Sequence, residues 1–275
     1  MPALRGRQAC RQTRIEDLTT RNLKITLEYD GNRYVGWQRQ AEGESIQGLL
    51  EDALAKFEGG PVTAHGAGRT DAGVHALGQV ASAHVSFTHP PATIGRGLNA
   101  TLPEDIRVIG VADMPEDFHA RFSARSKTYR YQMSTDPIGD PFSRRLVWQL
   151  REQLDLETMA RAAATLVGTH DFAAFQSAGT DVTTTVRTIV RSDIVMLPAG
   201  PPGAPARFAY DVTADGFLRH MVRAIVGTLV EIGRGRRDAE SLAQLLDGGT
   251  RAQAGATAPP HGLFLVRVDY DEESP

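Results

Sequence analysis

Apolar and polar residues alternate near the beginning of the chain, with an apolar side chain at every second position of residues 23–29. A period of two residues is typical of a strand with one buried face. Over residues 46–57 the apolar positions recur at helical spacing. Ser45 suits the N-cap of this helix, and the Gly-Gly pair at 59–60 suits its end. The pattern therefore predicts a strand followed by a helix.

The remaining elements are predicted from the same two periods. In the first half we expect strands over residues 81–87, 106–112 and 126–133, and a short helix over 93–102. In the second half we expect a helix capped by Asp155 that runs through residue 166, strands over 188–196 and 207–213, helices over 217–232 and 238–246, and a closing strand over 263–270.

Two of these strands, 188–196 and 207–213, are predicted to form a hairpin. Residues 198–205, which connect them, are rich in Pro and Gly, so we expect an exposed loop.

The order of elements indicates an α+β fold built from two similar halves. Strands often follow one another without an intervening helix, which favours an antiparallel or mixed sheet over a doubly wound parallel one. We place the boundary near Gln149, so that residues 22–149 and 150–275 form the two halves. Residues 1–21 are polar and basic, and we expect a disordered leader.

Composition limits the class of protein. With 275 residues, of which 41% are hydrophobic and 23% charged, the chain is long enough for a large core. No apolar run approaches the roughly 20 residues of a membrane-spanning helix, and the first residues lack a signal-peptide core, so we expect a cytoplasmic protein.

Cys10 is the only cysteine, which excludes a disulfide or a Cys-based zinc site within one chain. His75 and His220 lack the spacing of a zinc site and are expected either to have structural roles or to support the residues that contact the substrate.

The most informative segment, residues 66–76, places Asp71 among three glycines and beside Arg69. Two interpretations are open. The glycines could let a bulky ligand approach a catalytic carboxylate, or they could simply form a turn in which Asp71 bonds to its own backbone.

Basic residues are clustered although the formal net charge is −3. One cluster, over residues 118–151, interleaves Arg and Lys with Tyr and Trp, and a second lies over 219–237. Such clusters suit phosphates and unstacked bases, although charged faces are often simply solvated.

Several ordered motifs make the chain resemble the tRNA pseudouridine synthase A family over residues 24–270. They are Leu27-Glu28-Tyr29-Asp30-Gly31, Gly36-Trp37-Gln38-Arg39-Gln40, Gly68-Arg69-Thr70-Asp71-Ala72-Gly73-Val74-His75, Asp117-Phe118-His119-Ala120-Arg121-Phe122-Ser123-Ala124, Tyr129-Arg130-Tyr131, Phe217-Leu218-Arg219-His220-Met221-Val222-Arg223 and His261-Gly262-Leu263-Phe264-Leu265.

The resemblance implies a fold and a function. The two halves would share one continuous sheet with the active-site cleft between them, and the enzyme would be a homodimer. Its substrate would be the anticodon stem-loop of tRNA, in which uridines at positions 38, 39 and 40 become pseudouridine. The reaction moves the base from an N1 to a C5 linkage and is neither an oxidation nor a reduction, so neither a metal nor an organic cofactor is implied.

Three catalytic residues follow from the resemblance. Asp71 corresponds to the nucleophilic aspartate, and attack at C1′, attack at C6 and a glycal route are all open. Arg223 corresponds to the arginine that pairs with this carboxylate. Tyr129 corresponds to the tyrosine that stacks on the target base, and it is also a candidate for moving the C5 proton.

The resemblance also implies contacts with RNA. Arg69 corresponds to an arginine that assists base flipping, and His89 stands nearest to a second such position. Residues 118–122, which are Phe118, His119, Ala120, Arg121 and Phe122, correspond to an RNA-contacting segment, with His119 and Arg121 as its best polar contacts. Residues 176–183 are a further candidate region.

Two other functions are compatible with the residues alone. A small-molecule hydrolase could use Asp71 as its nucleophile and the glycines as a phosphate cradle, but such sites usually recruit Mg²⁺ through further carboxylates. A noncatalytic RNA-binding module would explain the basic and aromatic clusters, but it gives Asp71 no role.

Overall fold

A computed structural model describes residues 20–177, 179, 182–198 and 207–271. Within these residues there are five α-helices: α1 Ile46–Glu58, α2 Pro91–Thr101, α3 Leu156–Ala164, α4 Met221–Gly233 and α5 Ser241–Leu246. The strands of the same residues are β1 Arg21–Tyr29, β2 His65–Gly66, β3 His75–Val85, β4 Ile106–Met114, β5 Ala124–Ser134, β6 Trp148–Gln149, β7 Gly168–Asp171, β8 Val186–Met196, β9 Phe208–Ala214 and β10 Leu263–Tyr270.

All of these strands belong to one mixed sheet. Its main path is β4-β1-β3-β10-β5-β9-β8-β7, while β2 pairs with β3 and β6 with β5. The β10–β3 and β5–β6 pairs are parallel, and the other pairs are antiparallel. The predicted α+β fold with a continuous, mostly antiparallel sheet flanked by helices is therefore confirmed.

The last strand of the chain lies at the centre of this sheet. β10 pairs with β3 on one side and with β5 on the other. Residues that follow the Asp71 loop are thereby brought next to residues from the C-terminal part of the chain. Because β10 makes the sheet continuous, no break in the sheet marks the boundary near Gln149, which stays a prediction.

The predicted helix caps are present. The Ser45 side chain accepts a hydrogen bond from the backbone N–H of Gly48, and Asp155 does the same for Thr158. Gly59 ends α1 in the left-handed conformation, with φ of 72°. The side-chain oxygens of Ser45 and Asp155 satisfy N–H groups that have no partner within the helix.

Several predicted boundaries are wrong. α4 begins at Met221 rather than residue 217, because His220 has φ of 62° and a left-handed residue cannot continue an α-helix. β3 begins at His75 and ends before Phe87, and α5 begins at Ser241. The strands β2, β6 and β7 were not predicted, because two to four residues are too few to show a period.

Two predictions fall largely outside the described residues. Of the predicted leader, 1–21, only residues 20 and 21 are described, and Arg21 already belongs to β1. Of the predicted loop, 198–205, only Pro198 is described. The strands that flank this loop, β8 and β9, do pair as an antiparallel hairpin.

Helix α4 packs closely against residues 255–258 in the core. A β-carbon at Gly227 would lie 1.7 Å from the carbonyl oxygen of Ala256, so only glycine allows this approach. Gly255 N–H donates to Thr228 Oγ1 over 2.9 Å, and Ala258 N–H donates to the Arg223 carbonyl over 3.0 Å. This packing fixes the helix that carries Arg223. No helix among the described residues is long and apolar enough to cross a membrane.

Candidate active site

The Asp71 loop joins β2 to β3 and is docked against residues 36 and 37. Asp71 forms an isolated antiparallel bridge with Gly36, and Trp37 N–H donates to the Thr70 carbonyl over 3.0 Å. Gly36 has φ of 109°, and a β-carbon there would lie 2.6 Å from the Thr70 carbonyl oxygen. Glycine is therefore required at this contact for both conformation and space.

A buried polar network holds the loop on both sides of Arg69. Tyr29 OH lies 2.8 Å from Thr70 Oγ1, and Gln79 Nε2 donates to the Gly68 carbonyl over 2.8 Å and to Tyr29 OH over 3.4 Å. Burial raises the pKa of Tyr29 to about 12, so its hydroxyl stays protonated near neutral pH. The network fixes the backbone that leads to Asp71.

The carboxylate of Asp71 faces two groups from the beginning of α4. Its Oδ2 lies 3.5 Å from Arg223 Nη1 and 3.4 Å from His220 Nε2. The Asp71 side chain is 31% exposed and that of Arg223 is 13% exposed. Arg223 Nε also donates to the Ala258 carbonyl over 2.7 Å, which orients the guanidinium. A cation at this distance stabilises the ionised carboxylate.

Tyr129 lies on the central strand β5 and is 7% exposed. Its ring packs edge-on against Phe217, with the ring centroids 4.9 Å apart. Burial, with smaller effects of Tyr29 and Asp71, holds the pKa of Tyr129 well above its ordinary value. In the free protein Tyr129 is therefore a hydrogen-bond donor rather than a phenolate.

Lys127 borders the same space, although sequence reasoning placed it only in a general basic cluster. A β-carbon at Gly68 would lie 3.7 Å from Lys127 Cδ and 3.9 Å from Tyr129 OH. Burial lowers the pKa of Lys127, and Arg121 adds to this effect. The side chain of Lys127 makes no hydrogen bond or ion pair within the described residues. The signal in the sequence was its position two residues before Tyr129, which puts both on one face of a strand.

The glycines of the loop have different roles. A β-carbon at Gly66 would lie 2.4 Å from the Trp37 ring, and Gly73 has φ of 77°. Packing against Trp37 explains Gly66, and a left-handed turn explains Gly73. Gly68 alone of the three borders the space between Lys127 and Tyr129, so the expectation that the glycines admit a ligand applies to Gly68 only.

The segment 118–122 is anchored by its backbone. Asn22 Nδ2 donates to the Phe118 carbonyl over 2.7 Å, and Ala120 N–H donates to Ser82 Oγ over 3.1 Å. Tyr270 OH donates to the Ala120 carbonyl over 2.8 Å. Phe118 and Ala120 are buried in a small apolar cluster, so they hold the segment in place rather than present a surface.

The other residues of this segment form an accessible platform. The rings of His65 and His119 have centroids 4.9 Å apart, and those of His119 and Phe122 are 4.4 Å apart. Arg121 lies over the Phe122 ring, which belongs to a side chain that is 75% exposed. His65 was not predicted, because it is 54 residues before His119 and nothing local links the two.

The remaining candidates lie in different places. Arg69 is exposed beside Asp71 and makes no ion pair within the described part of the chain. His89 lies beyond the far end of β3, which is about 36 Å long at ~3.3 Å per residue, so the structure does not bring it to Asp71. In the region 176–183, Ser177 Oγ lies 2.7 Å from His220 Nδ1, while residues 178, 180 and 181 fall outside the described part.

The histidine at the start of β3 is surrounded by groups of the protein interior. His75 is buried, its Nδ1 accepts from Gly31 N–H over 3.1 Å, and its ring stacks on Phe264. Burial lowers the pKa of His75. Among the described residues, no group of three or more His, Cys, Asp or Glu side chains is arranged to hold a metal ion.

The comparisons with known proteins agree with this geometry. A family model described as tRNA pseudouridine synthase matches residues 25–123 and 162–271. A protein named tRNA pseudouridine synthase A from Syntrophotalea carbinolica is 48% identical over 248 residues, covering 90% of this chain and 96% of the relative.

Two further relatives carry the same name. The one from Geobacter sp. strain M21 is 46% identical, with 92% of this chain and 100% of the relative covered. The one from Myxococcus xanthus is also 46% identical, with 92% and 93% covered. The chain belongs to the tRNA pseudouridine synthase family.

Proposed function

We propose that this protein converts uridines at positions 38, 39 and 40 of the tRNA anticodon stem-loop to pseudouridine, with Asp71 as the nucleophile. The observation that carries the proposal is the arrangement of the Asp71 carboxylate. Arg223 donates to Oδ2, whereas no hydrogen bond from the described residues reaches Oδ1. The carboxylate is thus oriented at one oxygen and free to react at the other.

The chemistry needs few groups. The bond between ribose C1′ and uracil N1 breaks, and a bond between C1′ and C5 replaces it. The proton on C5 leaves and N1 gains a proton, so the product is an isomer of the substrate. Asp71 begins the reaction, whether at C1′, at C6 or through a glycal, and Arg223 orients its carboxylate.

Tyr129 is the proposed stacking partner of the uracil. A flat ring beside Asp71 keeps the detached base in place while it turns. The Tyr129 hydroxyl is protonated, so it donates a hydrogen bond to the base. It moves the C5 proton only if it gives its own proton to N1 as it takes the proton from C5.

A uridine within a helical stem must leave the stack before its glycosidic bond is reached, at a cost of a few kcal/mol. Arg69 is exposed next to Asp71 and carries a charge with no anionic partner among the described residues, which supports a role in this extrusion. Arg121 and Lys127 also make no ion pair within the described residues, and Asp215 only partly offsets the fall in the pKa of Lys127. Cations without an ion-pair partner suit a polyanionic substrate.

We further propose that the enzyme works as a cytoplasmic homodimer and needs neither a metal nor an organic cofactor. The support is the family resemblance together with the isomerisation itself, which requires no redox partner.

A tritium-release assay tests the proposal. A stem-loop transcript that carries [5-³H]uridine should release tritium to water in proportion to pseudouridine formed, because C5 loses its hydrogen. A transcript with cytidine at the three positions is the control. Tritium release without pseudouridine, or tRNA binding without release, would contradict the proposed reaction. Loss of activity with EDTA, on a stem-loop that stays folded, would contradict the proposal that no metal is needed.

A further inference from the structure

His220 has a backbone conformation that side chains rarely adopt. Its φ of 62° and ψ of 5° place a residue other than glycine in the left-handed region, immediately before α4. In the described chain only Arg151 shares a positive φ among residues other than glycine. Such strain persists where the surrounding structure holds it and is concentrated at functional sites.

The strained backbone directs the imidazole between two partners. On one side, Nε2 lies 3.4 Å from Asp71 Oδ2. On the other side, Nδ1 lies 2.7 Å from Ser177 Oγ. The Ser177 segment is itself held against this turn, because Ser177 N–H donates to the Arg219 carbonyl over 3.2 Å.

One tautomer of the ring suits both partners. The Nε2–Oδ2 contact is a close polar contact and not a formed hydrogen bond in the free protein. A carboxylate oxygen only accepts hydrogen bonds, so the contact is attractive when Nε2 carries the hydrogen. In that neutral tautomer Nδ1 is an acceptor, and the Ser177 hydroxyl donates to it.

The surroundings keep this ring neutral. Burial is the main effect that lowers the pKa of His220, and Arg223, Arg219 and Arg251 lower it further, while Asp71 acts in the opposite direction. Arg223 already supplies the positive charge beside Asp71. A neutral His220 ring can orient the Asp71 carboxylate by donating to it. Because the ring adds no second positive charge, it does not further reduce the reactivity of the carboxylate.

We propose that His220 is a positioning residue, which donates from Nε2–H to Asp71 Oδ2 under the control of Ser177 and so reserves Oδ1 as the attacking oxygen. This inference rests on the proposed function. In the free protein the two atoms are 3.4 Å apart and not yet aligned as a hydrogen bond, and we expect the bond to form when the substrate is bound, since catalytic hydrogen bonds often tighten at that stage. Arg223 and His220 together prevent rotation of the carboxylate.

Two positions allow the proposal to be tested apart from folding. His220→Gly removes the ring and relieves the backbone strain, so it should leave the melting temperature equal or higher. Ser177→Ala removes only the hydroxyl, and Ser177→Thr restores it. His170→Gly, on the edge strand β7, serves as the control for loss of a histidine ring.

The kinetic parameters are measured with an unmodified tRNA transcript. In His220→Gly we expect kcat to fall about 10- to 100-fold with KM unchanged, because the variant cannot make a hydrogen bond to a charged group. Free imidazole should restore part of kcat in this variant and do nothing for the wild-type or Asp71→Asn proteins. Ser177→Ala should lower kcat less, and Ser177→Thr should recover it.

The outcomes separate this inference from the proposed function. If the wild-type protein forms no pseudouridine, the proposed function fails. If the wild-type protein is active and folded His220→Gly keeps its kcat, only the inference fails. A decrease that imidazole does not reverse, or that appears in KM alone, would assign His220 a purely structural role and overturn the inference.

Discussion

Arg223 donates from Nη1 to Asp71 Oδ2 over 3.5 Å, although 152 residues separate the two in the sequence. The pair is formed because β10 inserts between β3 and β5 and because α4 is locked to the segment that contains Ala258. Its strength is limited by water, since about a third of the Asp71 side chain is exposed.

Replacing Arg223 should therefore affect the rate more than the fold. In Arg223→Ala we expect kcat to fall at least about 100-fold, because the nucleophile then has no charged donor to stabilise and orient it. Stability should fall by only about 1–3 kcal/mol, the usual cost of leaving a buried acceptor such as the Ala258 carbonyl without a partner. A fully desolvated pair would cost about 3–5 kcal/mol.

Denaturant unfolding and tritium release measure the two quantities. The matched control is Arg161→Ala, which removes an arginine that pairs with Glu157 on α3. Wild-type kcat in folded Arg223→Ala would show that Asp71 does not need this partner.

Tyr129 should separate base stacking from proton transfer. In Tyr129→Phe the ring remains and tRNA affinity should be unchanged, whereas Tyr129→Ala should weaken binding by about 1–3 kcal/mol. If the hydroxyl moves the C5 proton, Tyr129→Phe will bind tRNA and form little pseudouridine. Full activity of Tyr129→Phe would limit the residue to stacking, and equal affinity of the Phe and Ala variants would remove the stacking role.

Much of the fold was predictable from the sequence, and the limits have physical causes. The caps at Ser45 and Asp155 are local, so the spacing of neighbouring residues was enough to find them. The central position of β10 depends on pairing between residues far apart, and no local pattern contains it.

The missed residues have similar explanations. The left-handed conformation of His220 has no sequence signal, because glycine is the residue that normally marks it. Lys127 was visible only as one of many basic residues until the structure placed it near Gly68 and Tyr129. The site assignments themselves remain predictions until variants are measured.

Because α4 closely approaches residue 256, alanine substitutions at two helix glycines should have very different effects on stability. Gly227→Ala forces a β-carbon to 1.7 Å from a backbone oxygen and should cost about 1–3 kcal/mol or more of stability. In Gly95→Ala, on α2, the nearest atom is 3.6 Å away. Because alanine favours helices, that variant should gain up to about 1 kcal/mol. Thermal unfolding compares them, and equal stability of the two variants would contradict the packing described for α4.

Lys127, near Gly68 and Tyr129, and Arg121, over the Phe122 ring, should contribute to RNA binding through phosphates. In both Lys127→Ala and Arg121→Ala, the slope of log K against log salt should decrease by about 0.7 for each phosphate that the variant no longer neutralises. Lys56→Ala, at the exposed C-terminal end of α1, is the control and should keep the wild-type slope. Filter binding across a salt series measures this. Unchanged slopes in both test variants would remove Lys127 and Arg121 from the RNA interface.

The most direct measurement maps pseudouridine at single-nucleotide resolution in unmodified tRNA transcripts after incubation with wild-type or Asp71→Asn protein. Asn has nearly the same size as Asp but lacks the nucleophilic carboxylate. We expect the wild-type protein to modify uridines at positions 38, 39 and 40, and Asp71→Asn to bind the same transcripts and leave every uridine unchanged. Pseudouridine formed by Asp71→Asn would contradict the role of Asp71, and wild-type modification only outside the anticodon stem-loop would contradict the proposed substrate.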